Sequence, residues 1–170
     1  ADILLYSDLK SVSTVYFDNV NLSPDKKLDL TFNEPISFGE AVRVPLTQGA
    51  AMGRNGLGEN EVYFANNGNP ATFYAIDAES GDVHFSERVP GLDVVWGITV
   101  ADDGNVYFGG TSNGSMYRYL PAEQEIESLG QNPAGRFVWE LEGDGEGKIY
   151  GATYPNAEVF EYDIATDTFH

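Results

Sequence analysis

Few side chains in this sequence can do chemistry of their own. Two histidines are present, His84 and His170, and cysteine is absent, so thiolate metal sites and disulfides are excluded. Each histidine reads first as a solvated surface group: His84 falls on a predicted outer strand, and His170 is the last residue given. Carboxylates cluster at Asp102 and Asp103, and again at Glu142, Asp144 and Glu146. These are hard oxygen donors of the kind calcium takes, but they lack the full spaced set of a 12-residue calcium loop. Solvated turns are therefore the first expectation, bound calcium the second, and no other cofactor is expected. No HExxH, Gly-x-Ser-x-Gly, P-loop or dinucleotide fingerprint occurs. The glycines of "GRNGLGE" precede no helical pattern and read as a hairpin.

A second group of residues suits binding. Trp96, Trp139 and Tyr154 offer flat apolar faces, and Asn113 and Asn156 offer amides. Arg136, one of 9 basic residues, stands three before Trp139. Sugars present apolar C–H faces beside hydroxyls, which indole and phenol rings and amide groups match. The plainer account is that Asn and Pro simply make turns and that both Trp residues are core.

Composition narrows the class. The chain has 170 residues, 42% of them hydrophobic and 13% aromatic, which suffices for a packed core. Its 27 acidic residues give a formal net charge of -18. Such a surface repels nucleic acid and anionic membranes and favours cations or basic partners. No apolar run is long enough to insert in a bilayer as a helix.

The elements that must position these residues announce themselves by repetition. Tyr63, Tyr107 and Tyr150 are spaced by 44 and 43 residues; Asn69, Asn113 and Asn156 repeat that spacing. Ile76, Tyr119 and Tyr162 are each 43 apart, as are Trp96 and Trp139, with Met52 in the matching place of the earlier unit. Pro90 and Pro133 each precede a Trp by six. Within a unit, β-branched and aromatic stretches alternate with Gly, Asn, Asp and Pro clusters, which predicts four short strands. The expected fold is all-β, a β-propeller of about three and a half to four four-stranded antiparallel blades on a ~43-residue repeat. The predicted blades cover residues 46–89, 90–132 and 133–170. Residues 1–45, with "STVYFDNV", read as a divergent first blade or as separate N-terminal strands. The last blade stops at "DTFH" and is expected to lack its outer strand.

The phrases "DDGNVYFGG", "GKIYGATYPNAEVFEYD" and "IDAESGDV" are similar to bacterial β-propeller repeats of the broad kelch, quinoprotein-like and NHL-like type. The Trp-Asp dipeptide of WD40 repeats is missing, and Gly109–Gly110 is the sole Gly doublet of kelch kind. The resemblance implies a fold and no single activity. A fragment of a longer propeller, a ring completed by a second subunit and a four-blade closure all fit it.

Function is expected to be ligand binding, foremost of an extracellular or cell-surface glycan, through Trp96, Trp139, Arg136, Tyr154, Asn113 and Asn156. A protein-interaction scaffold using the acidic face is the alternative. A second alternative is part of a polysaccharide lyase or glycoside hydrolase, with Tyr154 as base and Arg136 as charge stabiliser.

Overall fold

The computed structural model describes residues 46–170, and the reading of residues 1–45 as a first blade lies outside them. Among the described residues every regular element is a strand, and no helix is long and apolar enough to cross a membrane. Twelve strands form three antiparallel sheets in which neighbours in sequence are neighbours in space. The first sheet contains β1 (Ala50–Arg54), β2 (Asn60–Asn66), β3 (Thr72–Asp77) and β4 (Val83–Arg88). The second contains β5 (Val95–Val100), β6 (Val106–Gly110), β7 (Ser115–Leu120) and β8 (Glu125–Gln131). The third contains β9 (Phe137–Gly143), β10 (Lys148–Tyr154), β11 (Val159–Asp163) and β12 (Thr168–Phe169). We call these sheets blades 1, 2 and 3.

One expectation is corrected here. The third blade does not stop short of its outer strand: Thr168 and Phe169 pair with Asp163 and Tyr162 to form a two-residue β12. Phe169 packs on both Tyr162 and Phe160 at centroid distances of 4.9 and 5.9 Å, which fixes this short strand. Apolar anchoring thus lets a strand form where its length alone argued against one.

The repeat is the logic of the core. A single sheet buries one face at most, so blades must lend each other apolar surface. Tyr63 of blade 1 lies 5.8 Å from Tyr119 of blade 2, and Tyr107 of blade 2 lies 5.9 Å from Tyr162 of blade 3. All four rings are buried. Phe73, Phe85 and Phe108 complete the first interface, while Met116, Val138, Leu141, Ile149 and Phe160 complete the second. The 43-residue columns are therefore packing columns between sheets. The first strands β1, β5 and β9 lie side by side.

Turn chemistry holds the strand ends. Asp103 accepts from the Asn105 amide at 2.9 Å, and Asp144 from the amides of Glu146 and Lys148 at 2.7 and 3.0 Å. Asp77 likewise receives the amides of Glu79 and Ser80. Carboxylates that close tight turns in this way explain the recurring acidic residues.

Candidate ligand site

Both tryptophans stand where the ladder is interrupted. Between β5 and β6 the register jumps from Val95↔Gly110 to Ile98↔Phe108, so Trp96 and Gly97 together oppose one residue. Between β9 and β10, Val138 pairs Thr153 while Glu140 pairs Ala152, which leaves Trp139 as the extra residue. A bulge of this kind re-aims side chains. The alternation of burial slips accordingly: Val138 and Leu141 are buried, while Trp139 and Glu140 between them are both exposed. Met52, in the same column of blade 1, lies in unbroken register opposite Val62 and is exposed as well.

The two indoles stack on one another across the blade boundary, with centroids 4.6 Å apart and planes 10° apart. Close approach of the first strands allows this. Gly97 lies against the Glu140 backbone, where a Cβ would come within 2.9 Å of the Glu140 carbonyl carbon. Tyr154, at the end of β10, extends the row: its ring lies 5.1 Å from Trp139 and 6.1 Å from Phe137. Trp96 and Trp139 remain 38% and 41% exposed, and Tyr154 half exposed. The plainer account, that both Trp residues belong to the core, is thereby set aside.

The polar candidates are treated less evenly. Arg136 is exposed just before β9, and its carbonyl accepts from Asn132 Nδ2 at 2.8 Å. Asn156 is exposed in the β10–β11 turn, two residues after Tyr154. Asn113 does not present a free amide. Its Nδ2 donates to the Gly91 carbonyl at 3.2 Å, its Oδ1 accepts from the Ser115 amide at 3.0 Å, and its carbonyl accepts from Gln131 Nε2 at 2.6 Å. These bonds tie Asn113 into its own loop, which it helps to close.

Asn132 was not singled out from sequence. It is buried, and its Nδ2 donates to the carbonyls of both Gly114 and Arg136 at 2.8 Å, tying blade 2 to the start of blade 3. A signal existed: its column mate, 43 residues earlier, is Val89, so a polar residue stands in an apolar column.

Away from this site, His84 is exposed as expected, but it carries a partner. Its Nδ1 lies 2.7 Å from Glu61 Oε1, and the Glu61 side chain is almost wholly buried. That hydrogen bond to Glu61 raises the imidazole above its ordinary range. Asn55 Nδ2 adds a 3.3 Å contact to the same carboxylate. Asp102, Asp103, Glu142, Asp144 and Glu146, the calcium-type donors, do not converge: among the described residues no group of three or more His, Asp or Glu is placed to hold a metal ion.

No family model matches the sequence, and no curated protein matches it. Solved structures do. The β-propeller domain of Cps50 (Swd1) from Myceliophteria thermophila is similar with a TM-score of 0.54 at 11% identity, over 74% of this chain and 40% of that one. The WD40 β-propeller domain of Doa1 gives a TM-score of 0.48 at 11% identity, over 66% of this chain and 49% of that one. The chain spans less than half the length of either. At such identity the likeness speaks to fold alone, and it agrees with the three four-stranded meanders and their shared packing columns: this chain is built of β-propeller blades.

Proposed function

We propose that the chain is the ligand-binding part of an extracellular β-propeller that recognises a carbohydrate. One observation carries this reading: the solvent-facing row Trp96, Trp139 and Tyr154, aimed outward by two bulges. Exposed aromatic rings of this size are costly to leave wet, and they suit the C–H face of a pyranose. Arg136 and Asn156 supply hydrogen-bond donors at the margin for sugar hydroxyls.

The test is calorimetric titration with a panel of soluble neutral oligosaccharides, followed by Arg136→Ala and Tyr154→Ala. Binding weakened several-fold or more in both variants, with little change in melting temperature, is the expected result. No binding across the panel, or variants that bind like the parent, contradicts it.

A protein-interaction scaffold is the second reading, and it has its own observation. Asp102, Glu142 and Glu146 are exposed in or beside the turns between first and second strands, and Glu79, Asp82, Glu123 and Glu125 in or beside those between third and fourth. A basic protein steered to these turns would bind with strong dependence on salt. Sugar binding to the aromatic row would not.

A further inference from the structure

Charge is distributed unevenly along the strands. Each antiparallel meander places its first-to-second and third-to-fourth strand turns at one end, and its second-to-third loop and the blade connections at the other. The turns at the first end, residues 55–59, 78–82, 101–105, 121–124, 144–147 and 164–167, hold nine carboxylates and no Lys or Arg. The loops at the other end, residues 67–71, 89–94, 111–114, 132–136 and 155–158, hold two carboxylates, Asp93 and Glu158, and one base, Arg136. Asp93 is already occupied by the amides of Val94 and Ser112 and by the Ser112 hydroxyl. A strand of six residues separates the two ends by about 20 Å, well past the ~8 Å screening length at physiological salt. The acidic turns therefore do not neutralise Arg136.

No local carboxylate does so either. Among the described residues His84 pairs with Glu61, Arg118 with Glu127 and Asp167, and Lys148 with Glu161, while Arg136 forms no ion pair. Arg54 and Arg88 share that lack, but Arg54 donates to the Gly58 carbonyl and Arg88 lies on β4, the outer strand of blade 1. Of these cations only Arg136 adjoins the aromatic row. It directly precedes Phe137, which pairs with Tyr154 across the β9–β10 ladder and stacks on its ring at 6.1 Å. Its main chain is fixed in place. The buried Asn132 donates to its carbonyl at 2.8 Å, and Gly114 approaches the same carbonyl too closely for any side chain. A guanidinium thus stands exposed on an anchored backbone, beside rings that suit a pyranose, with no anion of its own.

We propose that the ligand is an acidic glycan, and that Arg136 takes the carboxylate of a uronic acid residue whose ring packs on the row of Trp96, Trp139 and Tyr154. This rests on the carbohydrate reading above and narrows it to a class of sugar. The planar guanidinium fork matches a carboxylate with two parallel hydrogen bonds, which a single hydroxyl cannot return. A uronate carries its carboxylate on the ring itself, so stacking and ion pairing are made by one residue of the glycan. A neutral sugar uses the row but leaves the charge unanswered. The remaining surface, at a net charge of -18, repels anions in general. Arg136 is therefore the residue that decides whether an acidic sugar is accepted.

The test is calorimetric titration with trisaccharides of galacturonate, glucuronate and mannuronate, each beside its carboxyl-reduced neutral counterpart and a C6-sulfated one. At about 0.15 M salt at least one uronate should bind about five-fold tighter than its neutral counterpart, the upper end for a solvent-exposed ion pair. Raising the salt should shrink that preference. Arg136→Gln should abolish it, with the melting temperature unchanged because the side chain is exposed. Arg136→Lys, which keeps the charge and loses the fork, should retain only part of it. Uronates that bind no tighter than their neutral counterparts overturn the proposal and leave the carbohydrate reading standing. A preference that survives Arg136→Gln overturns it as well, and a sulfated sugar that outbinds the uronate overturns the assignment to a carboxylate. If no sugar binds, neutral or acidic, the carbohydrate reading fails and this proposal falls with it.

Discussion

Trp96→Ala and Trp139→Ala, singly and together, measure the indole stack that the candidate site rests on. A fully buried Trp truncated to Ala costs about 3–5 kcal/mol. Both indoles are more than a third exposed, so each single change should cost about 2 kcal/mol. Part of that cost is shared, because either truncation removes the 4.6 Å contact between them. Stacked aromatic pairs contribute about 0.5–1.5 kcal/mol beyond burial. The double variant should therefore be about 1 kcal/mol less destabilised than the sum of the singles. The assay is urea unfolding followed by far-ultraviolet circular dichroism, since the substitutions remove the fluorophores. Independent sites add to within about 0.3–0.5 kcal/mol. A coupling inside that margin would mean that the rings do not stack in solution, and the case for a preformed aromatic platform would fail.

Three further outcomes follow from the same packing. The His84–Glu61 pair contributes stability fully at pH below about 6.5, the ordinary imidazole value, and loses it as pH rises through the raised folded value; melting temperature against pH should show this fall in the parent and not in His84→Gln. Gly109→Ala should cost about 1–3 kcal/mol by denaturant titration, because a Cβ there would come within 2.4 Å of the Val138 side chain across the blade 2–blade 3 interface. Met116→Ala should cost about 2–5 kcal/mol, while its column mate Val159→Ala should change stability by less than about 0.5 kcal/mol, a contrast that calorimetry resolves directly.

The blades were legible because their repeat is imposed by packing. Tyr63 and Tyr107 recur at a fixed interval since each must fill the same space between sheets, and a period of 43 survives wherever that demand does. Tyr150 keeps the residue type of the column without the burial, so identity in a column does not report what covers it. The bulges at Trp96 and Trp139 were not legible. They depend on how two strands pair, and no local residue pattern distinguishes those sites from the regular register at Met52. For the same reason the sequence left the tryptophans open between core and surface. The loop bonds of Asn113 were not legible, because an amide suited to a ligand is equally suited to its own loop, and only the partners Gly91 and Ser115 reveal them. The Glu61–His84 pair escaped notice since its members are 23 residues apart on different strands.

Trp96 and Trp139 are the chain's only tryptophans, so tryptophan emission of the parent protein, excited selectively over its tyrosines, reports on the proposed site alone. Titration with a neutral oligosaccharide that binds should shift and intensify or quench this emission along a saturable curve, with the same midpoint as the calorimetric titration. A sugar that binds by calorimetry while the tryptophan emission stays unchanged would place the ligand elsewhere and contradict the account.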